Sequence, residues 1–198
     1  MKADAGLLVA FEGLDQSGKQ TQAELLRDRL ISNGRTVQLL SFPDYRTAIG
    51  GEIGRALRGE REYTADVMQL LYVANRYEWK SEITRATAAG KVVVCDRYLA
   101  SSIAYGEAQG LDPEWLSAIQ KYLPRPDINF LLDIPPEISA KRKIADRDRY
   151  ERDLSLLSRV RDSYRRQVVD GNWVRLDAAR PPEVIGDDVW RAVSALLR

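Results

Sequence analysis

The chain has 198 residues, with 30 Lys plus Arg against 29 Asp plus Glu. That length suits a single domain spanning 1–198, and the net charge of +1 exerts no long-range pull on nucleic acid or an anionic membrane. Histidine is absent and cysteine occurs once, at Cys95, which excludes Ser-His-Asp, Cys-His and His-metal chemistry, an intrachain disulfide and a zinc or iron-sulfur site built on them. Carboxylates, lysine, arginine, hydroxyls and backbone amides remain for a reaction.

The first apolar run, Leu7 to Phe11, is followed by Glu12 and is too short for a signal h-region or a membrane span, so a cytoplasmic protein is expected. Next comes Gly13-Leu14-Asp15-Gln16-Ser17-Gly18-Lys19, which fits G-x-x-x-x-G-K between a strand and a helix. Such a loop lets backbone amides wrap a phosphate at a helix N-terminus while the lysine steadies the outer phosphates. Gln20 stands where Ser or Thr would give a hydroxyl to Mg²⁺, and Thr21 is displaced by one residue. A neutral amide can still hold a magnesium-bound water, since Mg²⁺ keeps several waters and leans on substrate phosphates.

The helix after Lys19 places Ala23, Leu26 and Leu30 on one face and stops at Asn33-Gly34, as helical spacing and a C-terminal glycine predict. Further strand-length runs follow at Val37 to Leu40, Val92 to Cys95, Ile128 to Leu132 and Trp173 to Leu176. They are nearly continuous rather than alternating, which suits strands covered on both faces. The order β, α, β, α predicts an α/β sandwich with a parallel sheet. A long helix is expected over Thr64 to Ala89, carrying Tyr72, Asn75, Arg76, Tyr77 and Trp79 and ended by Gly90. Cys95 reads as a packed core thiol. Asp96, at the end of its run, emerges at the carboxyl edge of the sheet beside the phosphate loop, a fitting place for a ligand of a Mg²⁺-bound water. The segment 141–153, KRKIADRDRYERD, holds six basic and four acidic side chains and reads as a mobile, solvated segment. Ile185, Val189, Val193 and Leu196, after Pro181-Pro182, mark a closing helix.

Longer pieces carry a resemblance. FEGLDQSGKQTQ (11–22), FPDY (42–45), LLYVANRYEW (70–79), DRYLASSIAY (96–105), PRPDINFLLDI (124–134) and DRYERD (148–153) together resemble the thymidylate kinase family. The resemblance implies a P-loop three-layer sandwich with a five-stranded parallel sheet flanked by helices. It implies ATP-dependent phosphoryl transfer to dTMP, with Mg²⁺ as cofactor and a homodimer. It further implies that ATP sits on Gly13, Leu14, Asp15, Gln16, Ser17, Gly18, Lys19, Gln20 and Thr21 with Arg142, and that Asp96 and Gln20 attend the metal. By the same resemblance, Asp15 contacts the deoxyribose 3′-hydroxyl, Tyr72 stacks on thymine beside Phe42, and Arg76 and Ser102 read the polar edge of the base. Arg97 holds the acceptor phosphate and Tyr105 lies against the sugar, disfavouring a 2′-hydroxyl. Ser101, Arg46 and Tyr150 also belong to the implied acceptor site.

Three departures mark the transfer. Tyr45 stands fourth in FPDY, where many members have arginine, so the acceptor phosphate falls to Tyr45 with Arg97 or to Arg46. Gln20 replaces the usual hydroxyl. Gln16 occupies a position where some members carry a catalytic arginine, so the transferred phosphoryl group must draw its cation from a lid over about 141–153, through Arg142, Arg147 or Arg149. The catalytic set is then Lys19, Arg97 and Asp15 with Arg147 and Arg149, acting by position and charge rather than by covalent chemistry. The rival readings are a kinase of the same fold acting on dUMP or a deoxynucleoside, a nucleotide-binding switch, and a catalytically weak relative. The chain lacks the N-K-x-D motif of a guanine reader.

Overall fold

The computed structural model describes residues 6–142, 153–169 and 171–197. The chain runs β1 (Leu7–Gly13), α1 (Lys19–Ser32), β2 (Val37–Ser41), α2 (Ala48–Leu57), α3 (Ala65–Glu78), α4 (Lys80–Ala88) and β3 (Val92–Asp96). It continues through α5 (Leu99–Ala108), α6 (Pro113–Ala118), β4 (Ile128–Asp133), α7 (Pro136–Arg142), α8 (Leu154–Gln167), β5 (Trp173–Asp177) and α9 (Pro182–Leu196). The strands form one parallel sheet in the order β2-β3-β1-β4-β5. Each expected apolar run is a strand, and β1, β3 and β4 extend past their runs to end on Gly13, Asp96 and Asp133.

The central strands separate two cores by simple alternation. Leu7, Val9 and Phe11 of β1 with Val92 and Val94 of β3 face α1, α5, α8 and α9. Leu8 and Ala10 with Val93 and Cys95 face the opposite layer, beside Val73, Ile83 and Leu99. The rings of Phe11 and Phe130 stack across β1 and β4 at 5.2 Å. Cys95 is buried, and burial raises its thiol pKa far above the usual value, so it is an inert core group. β2 and β5, at the sheet edges, are only partly covered, as edge position dictates.

Two expectations are corrected. The long helix over Thr64 to Ala89 is two helices, α3 and α4, meeting at Trp79. There the Trp79 N–H donates to the Arg76 carbonyl, three residues back, so the turn tightens and the axis is free to change. In α9, Ile185, Val189 and Val193 are buried, whereas Leu196 is 45% exposed, because Leu197, four residues past Val193, takes the place against the core. Among the described residues no helix is long and apolar enough to cross a membrane.

The connections leave β1 toward β2 and β3 on one side, and β4 and β5 fill the other. The crevice this opens at the carboxyl ends of β1 and β3 is where ligands bind in open α/β sheets.

Candidate active site

The turn after β1 is shaped by backbone sterics. Gly13 has φ 140, and a Cβ there would stand 2.6 Å from the Leu132 carbonyl oxygen, so only glycine lets the loop leave the sheet between β1 and β4. Gln16 and Gly18 are left-handed, with φ of 58 and 95, and Gly18 caps α1 without any side-chain cap. The first amides of a helix have no intrahelical partner, so this end is a receptor for phosphate. Lys19 is buried, and its Nζ donates to the Leu14 carbonyl at 2.6 Å. Burial, and then the Arg97 charge, push the Lys19 pKa down to about 8 against the pull of Asp15, Asp96 and Glu12.

A cavity at this loop is lined by Asp15, Gln16, Gly18, Lys19, Gln20 and Thr21 together with Ser41, Phe42, Pro43, Tyr45, Asp96 and Arg97. The Asp96 Oδ1 is buried and has no hydrogen-bond partner. A hard, unpaired carboxylate oxygen beside a phosphate loop fits Mg²⁺ or a water of its shell. Gln20 also lines this cavity, and its amide nitrogen is engaged by Glu24 at 2.9 Å. No group of three or more acidic or Cys side chains that could hold a metal ion occurs among the described residues.

Arg97 follows Asp96 with φ 63, a left-handed turn that sends its side chain back across the loop. Its Nη2 donates to Asp15 Oδ1 at 2.6 Å and lies 3.2 Å from the Tyr105 hydroxyl, which itself donates to Asp15 Oδ2 at 3.0 Å. Nη1 reaches the Gly13 carbonyl at 3.1 Å, Ser101 Oγ at 3.3 Å and the Tyr164 hydroxyl at 3.2 Å. Behind these stands Glu12, fully buried. Its carboxylate accepts from the backbone of Tyr98 and Ala100, at the start of α5, and from Ser101 Oγ at 2.6 Å. Burial by itself would raise the Asp15 pKa; the charges of Arg97 and Lys19 and the hydrogen bonds from Arg97 and Tyr105 outweigh it and hold it well below the usual carboxylate range.

A second cavity shares Asp15, Phe42, Pro43, Tyr45 and Arg97 with the first and extends under α3 and α5, where Leu57, Gln69, Tyr72, Arg76, Ser101, Ser102, Tyr105 and Gln109 complete its wall. Arg76 is buried, donates from Nη1 to Ser102 Oγ at 2.6 Å, and keeps its Nε unpaired. The arrangement joins an aromatic wall to fixed donors, a site for a planar polar ring. The loop bearing Phe42 and Tyr45 is tied to α3 by Asn75, which accepts from the Asp44 amide at 2.8 Å and donates to Thr47 Oγ1 at 2.9 Å.

Of the residues singled out in the sequence, those of the phosphate loop, Asp96, Arg97, Phe42, Tyr45, Tyr72, Arg76, Ser101, Ser102 and Tyr105 meet in these two cavities, with Gly13, Leu14 and Ser17 buried behind the loop. Arg46 does not line either cavity: its guanidinium grips both Asp44 oxygens, at 2.8 and 3.0 Å, on an otherwise exposed side chain. Arg142, the last residue of α7, donates to the Gln16 carbonyl at 3.1 Å and the Ala178 carbonyl at 2.8 Å, bridging the phosphate loop and the turn after β5. Arg147, Arg149 and Tyr150, with most of the segment 141–153, lie outside the described residues. Glu12, Gln69, Gln109 and Tyr164 were not anticipated. Glu12 is signalled by an acid closing an apolar strand, and Gln69 by its place one turn before Tyr72; nothing local marks Tyr164.

A parallel α/β sandwich with a phosphate loop on β1, opening through a shared Asp–Arg pair into an aromatic acceptor cavity, defines a P-loop kinase of the nucleoside monophosphate type. The thymidylate kinase family model matches residues 11–189. Across 98% of this chain and 94% of the relative, identity to the thymidylate kinase of Schizosaccharomyces pombe is 36%, and identity to that of Plasmodium falciparum is 34% over 96% and 91%. A probable thymidylate kinase of Pyrococcus abyssi is 40% identical over 80% of this chain and 81% of its own. The solved thymidylate kinase of Candida albicans superimposes with a TM-score of 0.82 at 28% identity, covering 98% of this chain and 93% of that one. The chain belongs to the thymidylate kinase family.

Proposed function

We propose that the chain transfers the γ-phosphoryl group of ATP to dTMP, giving ADP and dTDP. The observation that carries the reading is the pair Asp15–Arg97, which belongs to the walls of both the phosphate-loop cavity and the aromatic cavity and so sets an acceptor phosphate next to a donor one. Lys19 and the loop amides hold the donor phosphates. Arg97 takes the acceptor phosphate with Tyr45, Asp15 meets the sugar 3′-hydroxyl, Tyr105 crowds the 2′ position, Tyr72 stacks on the base with Phe42 helping to wall the pocket, and Arg76 with Ser102 reads its polar edge. The ground-state bonds of Arg97 to Gly13, Ser101 and Tyr164 keep the guanidinium aimed at the reacting centre, so little reorganisation is needed when charge develops. Arg142 fixes the rim of the donor site. Arg147, Arg149 and Tyr150 belong to the lid over about 141–153 that completes a single domain, and the lid arginines supply the cation that Gln16 does not. Asp96 and Gln20 would hold a bound Mg²⁺, which would supply positive charge to the outer phosphates of ATP.

The buried lone Cys95 accords with a reducing, cytoplasmic setting, and the homodimer is proposed on the family resemblance, with light scattering of the eluted protein as its check. The defining experiment is a coupled assay with ATP, Mg²⁺ and dTMP. Formation of dTDP at enzyme-like turnover is expected; no dTDP alongside phosphorylation of a different acceptor would overturn the assignment.

A further inference from the structure

Behind the residues that face the nucleotides, a buried hydroxyl grips the phosphate loop from α7. Ser139 is buried, and its Oγ donates to the Asp15 carbonyl at 2.6 Å. Arg142, one turn further along the same face of α7, donates from Nη1 to the Gln16 carbonyl at 3.1 Å. One helix thus holds two consecutive carbonyls of the loop. The grip falls where the backbone needs it, because Gln16 is left-handed with φ 58, a conformation that a residue with a Cβ adopts at a cost. Such residues persist where their surroundings over-determine them.

The peptide bond converts that grip into a direction. The Asp15–Gln16 peptide is trans, so its carbonyl and its N–H point in opposite directions. With the carbonyl turned back onto α7, the Gln16 N–H is turned toward the front of the loop. Asp15 and Gln16 line the phosphate-loop cavity and Ser139 does not, so the front is the side on which a phosphate lies. The Asp15 side chain is fixed separately, by Arg97 at 2.6 Å and Tyr105 at 3.0 Å. The Ser139 hydroxyl therefore governs the backbone of the loop without setting the carboxylate that faces the acceptor.

We propose that Ser139 is a positioning residue for the donor phosphates: by holding the Asp15 carbonyl it aims the Gln16 amide at the anion in the loop. Without the hydroxyl the Asp15 carbonyl loses this donor, and the peptide is free to rotate and take the Gln16 N–H off the phosphate. Arg142 holds the carbonyl of the next peptide and does not replace it. The effect falls on the donor and leaves the acceptor site nearly as it was. This inference rests on the reading above that the loop holds the phosphates of ATP.

The test measures ADP affinity by calorimetry with no acceptor present, and KM for ATP and for dTMP, in the wild type, Ser139→Ala and Ser139→Thr. ADP is the probe because it brings phosphates to the loop without a γ-phosphoryl group to transfer. In Ser139→Ala, ADP affinity should fall and KM for ATP rise about tenfold, the scale of one hydrogen bond to a charged group, while KM for dTMP stays within about twofold. Ser139→Thr keeps the hydroxyl and should bind ADP within about threefold of the wild type. ADP affinity unchanged within about twofold in the Ala variant overturns the proposal. So does an equal rise in both KM values, the mark of a general loosening, and so does a threonine variant of wild-type Tm that binds ADP as weakly as the Ala variant. If the wild type binds ADP yet makes no dTDP, the proposed function fails while the ADP affinities still decide the role of Ser139. Full turnover of dTMP with ADP affinity indifferent to the substitution sinks the Ser139 assignment alone.

Discussion

The ammonium group of Lys19 carries its charge inside the protein, and that sets a pH limit on the donor site. With its pKa pushed down to about 8 by burial and by Arg97, the free enzyme loses this proton as pH rises through about 8, well before an exposed lysine would. Donor phosphates restore the proton by adding negative charge. The expected result is that kcat/KM for ATP falls above pH 8 while kcat at saturating ATP holds to higher pH, read from initial rates across pH 6 to 10. A kcat/KM for ATP flat to pH 10 would show that the free lysine keeps its charge. Replacement by Met, which keeps length and removes charge, should lower kcat by about 100-fold or more, the scale of losing one preorganised cation.

At the scale of elements, the placement of Arg97 depends on how β1 and α5 are joined. Glu12, the penultimate residue of β1, caps the first turn of α5 through the amides of Tyr98 and Ala100 and holds Ser101 Oγ, which in turn contacts Arg97. Removing the carboxylate leaves the buried amides of Tyr98 and Ala100 without that acceptor and Ser101 Oγ with the Tyr164 hydroxyl at 2.8 Å. Glu12→Ala should therefore cost about 3 kcal/mol and lower Tm by about 6 to 12 °C at this chain length, whereas Glu12→Gln, which keeps one acceptor oxygen, should cost clearly less. Equal Tm values for Glu12→Ala and wild type would show that the cap is not a structural requirement. Because the same carboxylate orders Arg97 through Ser101, Glu12→Gln should raise KM for the acceptor more than for ATP.

For the whole molecule, acid is the informative stress. Asp133, at the end of β4, is nearly enclosed and receives Arg161 at 2.6 Å, Arg165 at 2.8 Å and Arg175 at 3.0 Å, which ties α8 to β4 and links β4 to its neighbour β5. Burial would raise its pKa, but the hydrogen bonds and charges of Arg161 and Arg165 lower it from 3.8. A carboxylate depressed on folding contributes stability above its unfolded pKa and loses it as pH falls through the folded one. Asp15 titrates in the same sense. Tm should thus be steady above pH 5 and drop between about pH 4 and pH 2. Asp133→Asn should lower Tm at neutral pH and flatten that acid slope; an unaltered slope in the variant would assign acid lability elsewhere.

What the sequence by itself determined was everything written in short-range chemistry. The five strands, the phosphate loop with its two glycines and the position of Asp96 follow from apolar runs, from φ values only glycine adopts freely and from the lysine at its fixed offset, all within about ten residues. Tyr72, Arg76, Arg97, Ser102 and Tyr105, singled out through motif resemblance, line one cavity. The tertiary structure decided what depends on distant partners. It turned Arg46 onto Asp44 instead of the acceptor cavity, broke the long helix at Trp79, and set Tyr164 against Arg97 across 67 positions. It also brought Glu12 to the start of α5 across 86 and gathered three arginines on Asp133. The physical reason is that a side chain's role here is set by which donors and acceptors are buried with it, and burial in a parallel sheet brings together residues from strands and helices far apart in the chain.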